Sequence, residues 1–175
     1  MSNDDRKKLT ALIEEKDGEN WWKPEEFEKY IHPRLPRELT LVTQPPIYSE
    51  NYNCFVFALG LEQNPEFLGG KNPIQQEFIS YLLDKQLLKL TDIPEWGDLI
   101  FYEDSEGNIT HGGILKTEST MLSKWMWGPV IENKLLDVPS SFGEVIFYTK
   151  PILSEEIKRQ YQIYKDNGAE IKPII

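Results

Sequence analysis

The spacing of apolar residues changes near residue 95, and this change constrains the fold more than any other feature of the chain. Before it, apolar side chains recur at helical spacing, as Leu9, Leu12 and Ile13 do. After it, short segments have the alternating pattern of half-buried strands, and a polar turn at 104–108 joins the first two. Helices followed by a series of strands are typical of the α+β class. The sequence therefore predicts an antiparallel sheet preceded by helices.

The same patterns place the individual elements in a chain of 175 residues, which fits one domain of ordinary size. Helices are predicted over 4–17 (ended by Gly18), from Pro24 through Ile31, from Asn72-Pro73 to about Leu88, and over 154–166. Strands are predicted at 98–103, 109–117, 120–127 and 145–148. The apolar run 54–59 is too short for its spacing to distinguish a buried strand from a buried helix.

Acidic residues outnumber basic ones, 29 against 19, which gives a net charge of −10. This charge repels phosphate backbones and anionic lipid headgroups. The densest basic run is Arg6-Lys7-Lys8, and it stands beside Asp4 and Asp5. We therefore expect neither nucleic acid nor a membrane among the partners.

Cysteine and histidine are scarce, because the chain has one cysteine and two histidines, His32 and His111. A single cysteine excludes an intrachain disulfide and a multi-thiolate metal site. No ligand spacing such as HExxH is present, so we expect no metal and no cofactor. The first 20 residues lack a signal-peptide apolar stretch, and no segment has the ~20 apolar residues of a membrane span. The expected location is the cytoplasm, with export by another route left open.

Cys54 is the first candidate for chemistry. Asn53 before it is a preferred helix N-cap, and such a cap would place Cys54 in the first turn of a buried helix. Free backbone N–H groups at that end favour a thiolate, which is the nucleophilic form of cysteine. The alternative is an inert packing residue, since free cysteines are among the most buried residue types.

His111 is the second candidate, near the start of a predicted strand that follows a hairpin. Gly112 and Gly113 come directly after it and leave room around the imidazole for a substrate backbone. A histidine in that place can act as a general base. The alternative is a histidine that is hydrogen-bonded at a strand end. Asp98, which opens the hairpin, is predicted to be a structural hydrogen-bonding group.

Together these segments resemble the NlpC and CHAP branches of the papain-like superfamily, which are mostly bacterial and phage cysteine peptidases and amidases. Over roughly residues 50–150 the chain is most similar to a group of uncharacterised bacterial relatives of those branches. The shared pattern comprises Tyr52-Asn53-Cys54 with Phe57-Ala58, Thr110-His111, Ser123-Lys124-Trp125, and Pro139-Ser140-Ser141 with Gly143. The resemblance implies an antiparallel sheet packed on a central helix that begins at Cys54. We expect a helical extension and linker at 1–45, the papain-like catalytic core at 46–152, and a C-terminal helix and tail at 153–175.

The resemblance also implies roles for further residues. Ser123 stands where a polar residue would orient the histidine, and Asn133 and Glu132 are the alternatives, because serine carries no charge to stabilise an imidazolium. The backbone N–H of Cys54 would form an oxyanion hole with a side chain from Gln44 or Tyr52.

Trp125 and Trp127 would share one face of the predicted strand at 120–127. On that face the two rings would either line a substrate groove or pack into the core.

Three functions fit these expectations. The first is a cysteine hydrolase (a thiol protease or amidase) that cleaves an amide, peptide or isopeptide bond, with Cys54 as nucleophile and His111 as base. The second is an acyltransferase or transglutaminase-like enzyme with the same two residues. The third is a binding module that keeps the papain-like fold without catalysis. The expected partner is a peptide or another amide-containing substrate, and the sequence predicts no particular oligomeric state.

Overall fold

The computed structural model describes residues 1–14, 22–70 and 74–168, and its centre is one six-stranded sheet. The strands are β1 (Thr40–Leu41), β2 (Leu99–Glu103), β3 (Ile109–Leu115), β4 (Thr120–Lys124), β5 (Val130–Lys134) and β6 (Val145–Thr149). They lie in the order β1-β5-β4-β3-β2-β6, and each neighbouring pair is antiparallel. The predicted α+β class and its antiparallel sheet are confirmed.

The described helices are α1 (Asn3–Glu14), α2 (Pro24–Glu26), α3 (Cys54–Ala58), α4 (Gln76–Asp84) and α5 (Ser154–Asp166). α2 continues directly into a π-helical turn, Phe27–Ile31, and a 3₁₀ turn, His32–Arg34. The predicted end of the first helix at Gly18 and the predicted helix start at Asn72-Pro73 lie outside the described residues. Within the described part of the chain, no helix combines the length and apolar character needed to cross a membrane.

The third predicted strand, 120–127, is too long at its C-terminal end, because β4 ends at Lys124. Met126 has a φ of +52°, a left-handed conformation that a strand does not contain. The N–H of Gly128 donates to the carbonyl of Trp125 at 2.9 Å and closes a turn into β5. Trp125 and Trp127 therefore do not share a strand face.

The sheet has an apolar core on each side. Alternate residues of β2 point in opposite directions: Leu99 and Phe101 pack with α3, α4 and α5, and Ile100 and Tyr102 pack with α1 and the turn after α2. We call the first side the cysteine face, because it includes Cys54, and the second side the extension face. The N-terminal helices therefore pack on the body of the protein.

Arg6 anchors α1 on the extension face. Its side chain is buried, and its guanidinium donates to the carbonyls of Val138 at 3.0 Å and Gly143 at 2.7 Å. It also pairs with Glu144 at 3.1 Å, although that carboxylate is largely exposed. Because the bonds to the two carbonyls are buried and charge-assisted, they contribute more than the exposed ion pair.

Replacement of Arg6 by Met is expected to lower the free energy of unfolding by about 2 kcal/mol, because two carbonyls lose a charged donor while the apolar stem stays packed. Urea unfolding followed by tryptophan fluorescence measures this change. Lys7→Met is the matched control, since Lys7 is exposed on the same helix. Equal midpoints for the two variants would show that Arg6 does not anchor α1.

Candidate functional site

Cys54 is the first residue of α3, as the N-cap interpretation predicts. The Asn53 side-chain oxygen accepts a hydrogen bond from the Val56 N–H at 3.0 Å, and its amide nitrogen donates to the Ile74 carbonyl at 2.7 Å. Asn53 itself is extended, with φ −97° and ψ 179°, as an N-cap residue is. The run that begins at Cys54 is therefore a helix and not a strand.

Three backbone N–H groups lie near enough to the Cys54 sulfur to act on the pKa of its thiol. Two belong to Cys54 and Phe55, and the third belongs to Gly112 of β3, so β3 passes across the start of α3. A Cβ at Gly112 would lie 3.1 Å from the Phe101 ring and 3.4 Å from the Phe55 ring. The absence of a side chain at Gly112 is thus what allows the strand to approach the cysteine.

Burial acts on the pKa of the Cys54 thiol in the direction opposite to these N–H groups. Cys54 is only 7% exposed, and burial raises the pKa of its thiol to about 12, although the three N–H groups and the charge of Lys124 act to lower it. In this conformation the sulfur is a thiol at neutral pH. A proton acceptor or an opening of the site is therefore needed to make it a nucleophile.

The structure does not bring His111 to Cys54, and this corrects the expected arrangement. His111 lies on the extension face, where its ring stacks on Phe142 at 3.9 Å between centroids and is tilted against Tyr102 at 5.6 Å. The side chain is fully buried, and neither ring nitrogen has a hydrogen-bond partner among the described residues. Burial lowers the pKa of His111 to about 3, so the imidazole is neutral at physiological pH.

The register of the β2–β3 pair explains this placement. Phe101 lies opposite Gly112 and Tyr102 lies opposite His111, so His111 points to the same face as Tyr102. The register then shifts, because Glu103 pairs with Ile109 and Thr110 is the extra residue of a bulge. Since side chains alternate along a strand, one position decides between the two faces.

The predicted orienting residues share the extension face with His111 but do not contact its nitrogens. Ser123 and Asn133 are both buried. The Ser123 hydroxyl accepts a hydrogen bond from the Trp125 indole at 3.0 Å, and the Asn133 amide nitrogen donates to the Lys134 carbonyl at 2.7 Å. Neither side chain is hydrogen-bonded to the imidazole.

Glu132, the other alternative, points to the cysteine face opposite Leu122. Its carboxylate pairs with Lys116 at 2.6 Å and is about a quarter exposed. It therefore lies across the sheet from His111 and does not orient that ring.

The two predicted oxyanion-hole side chains have different surroundings. Gln44 is exposed, and its amide donates to Glu28 at 2.8 Å, with no bond toward Cys54. Tyr52 is half-buried two residues before Cys54, and burial together with the charge of Glu62 raises the pKa of its phenol to about 12. Tyr52 thus lies beside the cysteine, and Gln44 is engaged elsewhere.

Trp125 and Trp127 also lie in different surroundings. Trp125 is fully buried on the extension face and meets Phe142 edge-on at 5.8 Å, as the packing alternative describes. Trp127 is half-buried, and its carbonyl accepts a hydrogen bond from Asn51 at 2.7 Å. Trp127 therefore adjoins the segment that leads into Cys54.

Lys124 is a residue of this region to which the sequence interpretation gave no role. It ends β4 on the cysteine face, its side chain is fully buried, and its Nζ lies 4.7 Å from the centre of the Tyr52 ring. Burial lowers the pKa of its ammonium to about 7, and the neighbouring Cys54 acts in the opposite direction. A lysine at an inward position of a predicted strand is the signal that could have identified it.

Comparison with known proteins leaves the function open. Searches found no curated protein and no solved structure that matches the chain. One family model matches residues 42–150, a range that contains Cys54, His111 and Lys124. Since this match covers more than half of the sequence, the chain belongs to the family described as Domain of unknown function (DUF7689).

Proposed function

We propose that the protein is a cysteine hydrolase with a papain-like, NlpC/CHAP-type core, and that it cleaves an amide, peptide or isopeptide bond through Cys54. The observation that supports this proposal best is the position of Cys54 as the first residue of a capped helix, where the backbone N–H groups of Cys54, Phe55 and Gly112 act to lower the pKa of its thiol. Such groups stabilise a thiolate before attack. They also provide donors for the oxyanion that forms when the sulfur adds to the carbonyl carbon of the substrate.

The arrangement of the sheet supports the papain-like part of the proposal. The second strand of the β2–β3 hairpin crosses the start of a capped helix, and the cysteine is the first residue of that helix. This is the relation between strand and helix that the resemblance implies. The cysteine is held by two elements that are distant in sequence, α3 and β3.

His111 has no part in the proposal as the chain is folded here. For its ring to face Cys54, residue 111 would have to exchange faces with Gly112, which means a one-residue shift of β3 against β2. That shift would also move Phe101 and Tyr102 out of their present pairings. We therefore assign the nucleophile to Cys54 and treat the identity of the base separately.

Aromatic side chains beside the segment that leads into Cys54 are suited to bind the apolar part of a substrate. The rings of Trp22 and Tyr48 meet edge-on at 6.3 Å. A Cβ at Gly70 would lie 3.6 Å from the Trp127 ring and 3.8 Å from the Tyr48 hydroxyl, so these two rings flank the same glycine. Tyr48 is 64% exposed and hence available to a ligand.

The burial of Cys54 favours a second candidate, a non-catalytic binding module. A sealed thiol with a raised pKa reacts slowly with electrophiles. In such a module Cys54 is a core residue, and a ligand binds at the exposed aromatic side chains. The two candidates differ in one measurable property, the reactivity of a single thiol.

The test is acylation of the native protein by p-nitrophenyl acetate near neutral pH. We expect a burst of p-nitrophenol and the gain of one acetyl group on Cys54, measured by intact-protein mass. Because Cys54 is the only cysteine, a cysteine adduct reports this residue alone. Cys54→Ala should remove both the burst and the adduct.

Further outcomes separate the functions. Loss of the acetyl group to water identifies a hydrolase, and its transfer to an added primary amine identifies a transferase. Acylation that occurs only in urea, at the rate of an unfolded thiol, would refute the catalytic proposal and leave the binding module.

A further inference from the structure

We propose that Lys124 is the general base for Cys54, in the place that histidine takes in papain-like enzymes. This inference rests on the proposed function, because it names the group that receives the proton of the Cys54 thiol. The geometry of the cysteine face points to it: Lys124 shares that face with the sulfur, and His111 lies on the other.

Three contacts hold Lys124 inside the protein. It pairs with Val130 across the β4–β5 ladder, its Nζ donates to the Gly128 carbonyl, and the same Nζ lies over the Tyr52 ring. Tyr52 is two residues before Cys54, so the lysine contacts the segment that leads into the cysteine. The charges of Lys124 and Cys54 act on each other, lowering the pKa of the thiol and raising that of the ammonium, although burial has the larger effect on both groups.

A comparison with Lys116 shows why Lys124 needs a functional explanation. Lys116 follows β3, is 44% exposed, and has a carboxylate partner in Glu132 at 2.6 Å. Among the described residues no carboxylate lies within ion-pair distance of Lys124, although its side chain is fully buried. A buried ammonium without a counterion is costly, and the amine that remains when it loses its proton is a base.

The other ionisable groups around the pair do not replace this base. Tyr52 contributes the face of its ring and a phenol that burial keeps protonated. Glu62 has one buried carboxylate oxygen without a partner among the described residues, and its charge acts on Tyr52. Glu132 is engaged by Lys116. We therefore assign the proton acceptor for the thiol to the amine of Lys124, which shares the cysteine face with Cys54 and acts on its pKa.

The proposed reaction conserves atoms and protons. The neutral amine of Lys124 takes the proton from the Cys54 thiol, and the sulfur attacks the substrate carbonyl carbon. The resulting ammonium then gives its proton to the departing amine nitrogen as the carbon–nitrogen bond breaks, which leaves a thioester. Water loses a proton to Lys124 as it attacks that thioester, and the same proton returns to the sulfur when the acid is released.

The experiment measures the rate of Cys54 acylation by p-nitrophenyl acetate from pH 5.5 to 9. For the unmodified protein we expect the rate to rise with an inflection near pH 7, the pKa to which burial brings Lys124. For Lys124→Met we expect a loss of about 100-fold or more at pH 7.5, because a positioned base typically contributes that much. Lys116→Met should keep the rate and the inflection.

Two variants separate a base from a mere positive charge or a packing residue. Lys124→Arg keeps the charge but cannot act as a base, so it should stay as slow as Lys124→Met. Lys124→Ala leaves space beside the thiol, and added ethylamine should restore part of its acylation rate. If Lys124→Met does not fold, Lys124→Gln, which keeps a donor for the Gly128 carbonyl, takes its place in the comparison.

The outcomes distinguish this inference from the function on which it rests. A full rate and an unchanged pH profile in Lys124→Met would overturn the role of Lys124 and leave Cys54 as nucleophile. A full rate in Lys124→Arg would also overturn it, since the lysine would then act only through its charge. Absence of acylation in the unmodified native protein would refute the proposed function itself.

Discussion

Acidification from pH 7 to pH 4 is expected to lower the free energy of unfolding by about 3 kcal/mol through one side chain, His111. Burial lowers the pKa of His111 from 6.5 to about 3 in the folded protein. Below pH 6.5 the unfolded chain therefore binds a proton that the folded chain does not. Stability falls by about 1.4 kcal/mol per pH unit through this window, and the loss is complete only below pH 3.

The variant that tests this is His111→Leu, which removes two unpartnered nitrogens from the packing against Phe142. We expect it to be at least as stable as the parent at pH 7 and to lose the dependence between pH 6.5 and 4. Urea unfolding at pH 7, 5.5 and 4 gives both quantities. His32→Gln is the control, because His32 is partly exposed and contacts the exposed Glu28.

Carboxylates overlap only the acidic end of this window. Hydrogen bonds lower the pKa of Asp5, Asp104 and Glu156, so the stability that they contribute is lost as the pH falls through their ordinary values of 3.8 to 4.5, and this loss is common to the parent and to His111→Leu. If His111→Leu kept the full dependence between pH 6.5 and 4, His111 would not be buried as described. That result would instead favour a conformation in which the His111 ring contacts Cys54.

The sequence predicted the class of the fold because that information is local. The change in the spacing of apolar residues near residue 95 separates helices from strands, and the Asn53 cap marks the start of α3. Both signals depend on residues that are a few positions apart. β1 and β5 were not predicted. β1 has two residues, and β5, Val130–Lys134, places Glu and Asn in its second half, so neither gives a clear alternating pattern.

The face on which a residue lies was not predictable in the same way. Cys54 and His111 belong to the segments that the sequence identified, but the pairing of β2 with β3 puts His111 against Phe142. A single extra residue, Thr110, sets that register, and nothing near it in the sequence marks a bulge. Lys124 lies on the cysteine face for a related reason, since β4 keeps its alternation up to its last residue.

Replacement of Lys124 by Met is expected to raise the free energy of unfolding by about 3 kcal/mol at pH 7, although it is expected to abolish most of the chemistry at Cys54. Burial lowers the pKa of Lys124 from 10.5 to about 7. The folded protein therefore binds fewer protons than the unfolded chain between those values, and it loses stability as the pH falls from 10.5 to 7. Methionine fills a similar volume without that cost, and only the bond to Gly128 and the contact with Tyr52 are lost.

The pH dependence of this gain distinguishes it from better packing. A packing effect would be constant, but the advantage of Lys124→Met should shrink by about 2 kcal/mol between pH 7 and 9, because the free energy needed to deprotonate the lysine on folding falls as the pH approaches its ordinary pKa of 10.5. The comparison uses the difference in free energy of unfolding between Lys124→Met and the parent at each pH. The Cys54 thiol, whose pKa is raised, also makes stability depend on pH, but it is present in both proteins and its effect cancels in this difference. Lys116→Met, measured by the same urea titrations, should change stability by less than about 1 kcal/mol.

A Lys124→Met protein that is less stable than the parent at pH 7 would mean that the lysine holds the turn after β4 together. A Lys124→Met protein that is more stable than the parent but unreactive would mean that Lys124 lowers stability and serves the reaction at Cys54.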